Sequence, residues 1–425
     1  MRNYRSATNL LAVSAAAKET AINTEQTMGL SLLADTGDVL VLDKRRDNNA
    51  KEMTGKEEPD TVYDLGQTSS GKLTFNKAQP QHFAFLSAYA LGSLATGPAG
   101  TGYQHVITPI PWDLDENRSL PSFTAAQRFG QTVLKRRFAS MFVDSMTATF
   151  SKDDWCKLTA SLKGTGKYTD NVVEEVISAA GNATTLTLAA NGVEGATAAV
   201  RLDNVQRIRV ELAPGVWTEV AYSVVSATTP AAVTITSPGG TVTPVNYRVL
   251  YIPVESGWMA FPSRIAETPL RVAQMTLKMG GAWSGTAFTG GKTLAGSVKS
   301  VEWTVNNGLA IEFVPGSGGA YASKCFRPAR TQTLKLNKEF RDYILEQHIL
   351  ANDTFGFYIL AEGALYDATN KYQVEIIFPK VAVLTAPQSI DGQVLAQAGD
   401  LQVLQDDTYG SVIVRVQNLQ ATYCT

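Results

Sequence analysis

This sequence predicts a mainly β protein, and three observations carry that prediction. Apolar and polar residues alternate with period 2 at several well-separated places, the mark of half-buried strands. Helical patterning is confined to two stretches. Charged residues make up only 18% of the chain, against ~25% in ordinary soluble domains. A Thr- and Gly-rich surface of that kind suits sheets with extensive protein contacts. The expected architecture is a two-sheet β-sandwich or partial barrel with one or two short flanking helices, plus an inserted small β domain. With 425 residues the chain is long enough for two or three domains, or for one large β architecture.

At the start, Met1 to Arg5 followed by Leu10 to Ala15 faintly imitates a secretory signal, but its apolar part is short. It reads as an N-terminal arm. The segment Asp43 to Asp60 is dense in both signs of charge: Asp43, Lys44, Arg45, Arg46, Asp47, Lys51, Glu52, Lys56, Glu57 and Glu58. Such a stretch is either a solvated loop or a docking arm that orders against a neighbour.

Leu73 to Lys77 leads into a helix over Pro80–Leu91, with Pro early and Gly92 after the end. Its apolar residues cover most of the circumference, so the helix should be nearly enclosed. Met146, Ala148 and Phe150 alternate with polar partners, then Ser151 to Asp154 turns the chain, and Leu158, Ala160 and Leu162 alternate again. This is a hairpin pattern.

Lys is absent between Lys167 and Lys278, which marks an insertion. Inside it lie strand candidates Thr185 to Leu188, Val205 to Leu212, Trp217 to Val225, Val233 to Ser237 and Tyr247 to Ile252, punctuated by Gly, Pro and Asn. Strands this closely spaced can close their own small sandwich or barrel. The domains are therefore 1–170 and 256–425, two parts of one core, with 171–255 inserted.

Val301, Trp303 and Val305 alternate up to Asn306-Asn307-Gly308, a hairpin-turn sequence. Leu334 to Lys338 leads into a second helix over about Glu339 to Leu350, where Asn337 can cap the free N–H groups. The repeated order of strand, Asn-Lys and helix marks either an internal duplication or the general liking of helix starts for Asn. Tyr372 to Phe378 alternates until Pro379 closes the run. Val412, Val414 and Val416 follow the turn Asp406 to Gly410 and form a closing hairpin.

Chemical motifs are weak. Cys156, Cys325 and Cys424 and His82, His105 and His348 lie far apart, without metal-ligand spacing, so no metal or cofactor is expected and the thiols are read as reduced. Gly291-Lys292-Thr293 imitates the end of a phosphate loop but lacks its upstream Gly and its helix. Asp113, Asp115 and Asn117 begin like a calcium loop, yet Arg118 and Thr124 stand where Gly and Glu are needed. No nucleophile elbow occurs. No catalytic residue is assigned, and the chain is read as a non-enzyme. The longest mostly apolar stretch, His82 to Ala95, is too short to span a bilayer. Lys plus Arg number 37 against 39 Asp plus Glu, a balance that provides no global field for holding nucleic acid.

The order of features, with Gly71 to Phe75 before its helix, Phe142 to Phe150, Lys371 to Val381 and Gly410 to Asn418, resembles the major tail tube protein of a long-tailed bacteriophage. The resemblance covers most of the chain outside Asp170 to Ser256. It implies rings of six copies stacked into a hollow tube, with strands from all copies joined in one lumen barrel. The implied partners are further copies of the chain, a tape-measure protein and tail tip or terminator proteins. DNA would pass through unbound, without membrane insertion, in a virion tail assembled in host cytoplasm. The charged segment Asp43 to Asp60 becomes the candidate inter-ring arm, and the insertion is expected to face outward. The alternatives are another β-rich virion component, such as a tail terminator or capsid decoration protein, and an extracellular binding module.

Overall fold

The computed structural model describes residues 8–110, 119–130, 134–294, 296–314, 320–391 and 394–425. Over these the chain is mainly β. It divides into two compact units. The smaller contains Ala126–Arg137 and Tyr168–Phe261 with residues 8–10; the larger contains Leu11–Ala125, Phe138–Lys167 and Pro262–Thr425.

The larger unit is organised by β1 (Leu40–Asn48), β2 (Val62–Phe75), α1 (Pro80–Leu91), β3 (Gly92–Ala99), β4 (Gly102–Pro109), β5 (Leu134–Ser151, in this unit from Phe138 on) and β6 (Lys157–Gly164). These are followed by β7 (Met275–Trp283), β8 (Phe288–Thr293), β9 (Val298–Asn306), β10 (Thr331–Glu339), α2 (Ile344–Ala351) and β11 (Phe355–Leu365). The chain then runs through β12 (Lys371–Thr385), β13 (Gln388–Asp391), β14 (Val394–Val403) and β15 (Ile413–Asn418).

Two runs of strands result, antiparallel at every joint. One is β3–β4–β15–β12–β11–β7–β8. The other is β1–β2–β6–β5–β9–β10–β14–β13. Strand β12 belongs to both: Gln373–Ile377 pairs with β15, whereas Val381–Thr385 pairs with β14. The changeover falls at Pro379 and Lys380, where the register against β11 slips between Phe357↔Phe378 and Phe355↔Val381. Pro379 therefore does not end the strand, as the sequence suggested. A residue without an N–H is tolerated at a bulge, where the ladder is already interrupted.

The core lies under the second run. Val301, Trp303 and Val305 are buried, as are Leu334 and Leu336; the Trp303 ring meets Phe378 edge-on at 5.7 Å. Helix α1 is buried along its whole length, with Phe83 stacked on Phe150 at 6.2 Å. Gly92 ends the helix in the left-handed region, at φ 93°, and a Cβ there would collide with the side chain of Ile110. Both demands select Gly.

Three local expectations are corrected by pairing. Asn306-Asn307-Gly308 is no tight hairpin, because β9 pairs with β10 and β5. Buried Asn307 instead donates through Nδ2 to the carbonyls of Ala90 and Val143, each at 3.1 Å. The second helix starts at Ile344, and Asn337 does not cap it: Asn337 and Lys338 lie in β10 opposite Ala398 and Gln397. Tyr343 stands at the N-cap without a side-chain cap bond, and Asp342 just before it accepts the Ile344 N–H through Oδ1 at 3.4 Å. The turn at Asp406 to Gly410 exists, but β14 and β15 flank it without pairing to each other; both pair with β12.

The Asn-Lys echo is thus misplaced, yet the topology repeats. The elements β1, β2, α1, β3, β4, β5, β6 recur in the same order as β9, β10, α2, β11, β12, β13, β14. In each set the first two strands pair, the two after the helix pair, and the last strand pairs with both the second and the sixth element.

In the smaller unit, Val173–Ala180, Pro244–Tyr251, Val205–Ala213 and Val216–Glu219 form one sheet. Thr185–Thr187, Ala232–Ile235 and Tyr222–Val225 form another. Leu186, Ile208, Val225, Val233, Tyr247 and Val249 share one core. The single strand expected over Trp217 to Val225 is two, one in each sheet. Val173–Ala180 and the short helix Ala198–Asn204 were not anticipated. The unit also extends past 171–255, since Lys135 and Arg136 are tied into it: the Lys135 N–H donates to Asn171 Oδ1 at 2.8 Å, and Arg136 grips Asp170 with two bonds of 2.6 and 2.8 Å.

Candidate assembly surface

Strands β1 and β2 run together from Leu40↔Gly71 to Asn48↔Val62, but β6 accompanies β2 only over Ser69–Phe75. Past that point the pair continues as a two-stranded ribbon. A bulge between Lys44 and Arg46 bends it, and residues 43–48 and 61–65 are exposed on both strands. The charged segment is therefore half strand and half tip, where sequence alone suggested a loop throughout. Charged side chains repel further edge pairing, which is why a free ribbon here stays soluble.

The tip is closed by Asn49, which is buried while residues 50–61 are exposed or, at Thr54, intermediate. Its Oδ1 accepts the N–H groups of Asp60 at 3.1 Å and Thr61 at 3.3 Å, and its Nδ2 donates to Asp60 Oδ1 at 2.5 Å. Lys56 pairs with Asp60. Hydrogen bonds from Lys56 and then Asn49 hold the Asp60 carboxyl below its ordinary range. Tyr63 donates through its hydroxyl to Glu52 Oε2 at 2.7 Å, which raises the phenol's pKa. At the base, Ser70 donates to Asp43 Oδ2 at 2.7 Å, and the Arg45 guanidinium lies 5.3 Å from the centre of the Phe313 ring.

The remaining charges, Lys44, Arg46, Lys51, Glu57 and Glu58, form no ion pair among the described residues; Asp47 only accepts the N–H of Asn48. Apolar side chains accompany them: Val41, Met53, Val62, Tyr63 and Leu65 are all exposed, Met53 completely. Asn49, Phe313 and these apolar residues were missed at first reading. Only the apolar ones left a signal, as hydrophobes inside or beside a charged stretch.

A second exposed region lies at the far end of the same run. Strand β13 is exposed throughout, with Ile390 at 76% and Leu395 opposite it at 55%. Leu384 is exposed just before it.

Motifs suggestive of chemistry resolve into structure. Gly291 to Thr293 lies in the β7–β8 hairpin, and Lys292 is engaged by Asp342 at 2.9 Å. Asp113, Asp115 and Asn117 lie outside the described residues. The three cysteines are free and buried, and burial pushes each thiol up to about 12. His82 is fully buried against Phe75, its Nδ1 accepting the Gln79 N–H at 3.2 Å, and burial lowers it to about 3. Buried Glu267, raised to about 7 by burial, accepts the Gln81 N–H at 2.8 Å in the first turn of α1. Among the described residues no cluster of three or more His, Cys, Asp or Glu side chains could hold a metal ion, and no helix is long and apolar enough to cross a membrane. No protein-family model matches this sequence, and comparison with curated proteins finds no relative.

Proposed function

We propose that this chain is a structural protein that polymerises into a hollow tube, in the manner of the major tail tube protein of a long-tailed bacteriophage. The observation that carries the reading is the ribbon of β1 and β2, with its exposed apolar side chains and charges of both signs that form no ion pair among the described residues. An isolated two-stranded ribbon is only marginally stable in water. One that presents Met53, Val62 and Leu65 gains by docking on another protein surface, and here that surface belongs to the next ring of the same chain.

The outer face of the long run of strands supports a conduit. Opposite the buried Val301 and Trp303 stand Thr147, Thr149, Thr304, Thr331 and Thr333, with Thr147 and Thr304 bonded at 3.0 Å. Hydroxyls carry no charge that holds phosphate, and the charged residues on the same face, Lys72, Glu302, Lys335 and Asp400, are of both signs, so the wall presents DNA with no strong positive field. The tape-measure protein and the tail tip and terminator proteins are the partners this reading supplies, and the virion tail is the location.

Electron microscopy of the purified protein alone tests the proposal. Tubes of indefinite length support it. Single rings favour a terminator, and compact monomers at high concentration reject assembly altogether.

The inserted β domain should be dispensable for growth. Its first and last strands pair with Val173 opposite Tyr251, and Lys135 binds Asn171 and Glu255 near both ends. The excision point is therefore only one interstrand spacing wide, roughly 5 Å. Replacing 173–251 by a short Gly-Ser linker is expected to leave tubes with an unchanged axial repeat and a smaller outer diameter. Insoluble protein, or soluble protein without tubes, would count against the domain's independence.

A further inference from the structure

We infer that the larger unit carries a binding cleft for a neutral sugar, between Trp283 and Tyr409 on the outer face of the run β3–β4–β15–β12–β11–β7–β8. The inference goes beyond the tube reading and does not depend on it.

That run has two faces. Val374, Ile376 and Phe378 of β12 are buried on the core side, where Phe378 meets Trp303. Glu375 and Ile377 alternate with them and point the other way. On this outer face Val106, Arg415, Glu375 and Leu360 stand in one cross-strand row. Ile377 and Ile413 face each other beside it, and with Trp283 and Tyr358 they form a small buried cluster against which Phe288 and Tyr409 pack.

Next to the cluster lies a cleft of about 520 Å³, inside the ~300–1,000 Å³ range of small-molecule sites. Trp283, Tyr409, Val106 and Ile413 give it apolar walls. Arg415, Thr108, Thr286 and Thr408 add a few polar groups. Two turns fix its rim. Asp406 and Gly410 exchange two backbone bonds of 3.0 Å, and Asp406 Oδ1 accepts the N–H groups of Thr408 and Tyr409, each at 2.9 Å. Across from them the Ser284 N–H donates to the Ala287 carbonyl at 3.0 Å, and Ser284 Oγ accepts the Ala287 N–H at 3.2 Å. The two turns touch where the Tyr409 ring lies over Gly285, 3.4 Å from the place a Cβ would take. Tyr409 is thus positioned before any ligand arrives, which lowers the cost of binding.

Charge decides the class of ligand. Glu375 is only 6% exposed; its Oε1 accepts the Tyr358 hydroxyl at 2.7 Å, and its Oε2 lies 2.9 Å from Arg415 Nη1. The Arg415 guanidinium, 5.7 Å from the centre of the Trp283 ring, forms no further ion pair or hydrogen bond among the described residues. Several of its five N–H groups therefore remain for a ligand oxygen. A guanidinium without a carboxylate selects carboxylate or phosphate. One already neutralised by a buried Glu offers donors without net charge, and an anion bound there would be repelled by Glu375. Aromatic walls, neutral donors and threonine hydroxyls together match a sugar ring, whose C–H faces are apolar and whose rim is hydroxylated.

Saturation-transfer NMR on the full chain tests the cleft. The probes are the methyl glycosides of glucose, galactose, mannose, rhamnose and N-acetylglucosamine, with methyl glucuronide as the charged comparison. The expected result is transfer to the C–H protons of at least one neutral glycoside, and weaker transfer to the glucuronide. Tyr409→Ala should weaken that binding about tenfold, the loss of one aromatic contact. Thr286→Val, at an exposed position, should also weaken it while circular dichroism stays unchanged, so the test survives if Tyr409→Ala fails to fold. Absence of transfer to every neutral glycoside would overturn the cleft. Binding that is unchanged in the folded variants would place the sugar elsewhere and overturn it equally. Stronger transfer to the glucuronide would overturn the neutral assignment. None of these results bears on tube formation.

Discussion

Neutralising Arg45, Arg46 and Lys51 together is expected to leave soluble, folded protein that no longer grows long tubes. All three side chains are exposed, and Arg46 and Lys51 form no ion pair among the described residues. Surface changes of this type usually alter stability by within about 0.5 kcal/mol. Arg45 is the exception to pure exposure, since it stacks on Phe313; Gln keeps a flat polar head there, so Arg45→Gln is preferred to Ala. Assembly has no such tolerance. Every arm in a ring makes the same contact, so a loss of even ~1 kcal/mol per arm is multiplied around the circumference. Circular dichroism and thermal melting should match the unmodified protein, while sedimentation and microscopy find short species. Salt should mimic the change in part, because the Debye length falls from ≈ 10 Å at 0.1 M to about 3 Å at 1 M. Tubes of normal length from the triple variant would remove the arm from the mechanism.

Asp342→Asn is expected to cost about 2–3 kcal/mol of stability, less than the loss of a fully buried pair, because the carboxylate is partly exposed while the Lys338 ammonium is not. Lys338 is 1% exposed, and its ammonium reaches Asp342 Oδ1 at 2.5 Å; Lys292 binds the other oxygen at 2.9 Å. Burial alone would raise the Asp342 pKa, but hydrogen bonds from Lys338 and Lys292 outweigh it and hold the carboxyl at about 2. Removing that charge strands an ammonium in the interior. The pH dependence follows in sign. The folded pKa lies below the ordinary value of 3.8, so the contribution is complete above that value and is lost as pH falls toward about 2. Urea unfolding at neutral pH should give a lower midpoint with an unchanged slope. Adding Lys338→Met to Asp342→Asn should restore part of the loss, since no buried charge then remains. An unchanged midpoint in the single variant would mean that Lys338 finds solvent or another partner.

Much of the fold was legible in local pattern. Helix α1 and its closing Gly92, the β5–β6 hairpin and four of the five strands expected in the insertion were readable because each depends on residues near one another in sequence; the fifth, Trp217 to Val225, divides between two sheets. The arm was readable as charge, not as shape: nothing in Asp43 to Asp47 announces that Thr68 to Tyr63 will lie opposite. Asn337 looked like a cap because Asn often is one, but the ladder with β14 claimed its backbone. Asn307 looked like a turn residue, but burial against Ala90 and Val143 gave its amide other partners.

By itself, the sequence determined the mainly β class, many of the strand regions and their apolar faces, and where the composition breaks. Tertiary structure alone decided which strand meets which: the doubling of the seven-element set, the shared strand bent at Pro379 and the two open edges at β1 and β13. Period-2 alternation assigns a side chain to a face of its own strand and carries no information about the strand beside it. That choice is made by packing between residues far apart in the chain.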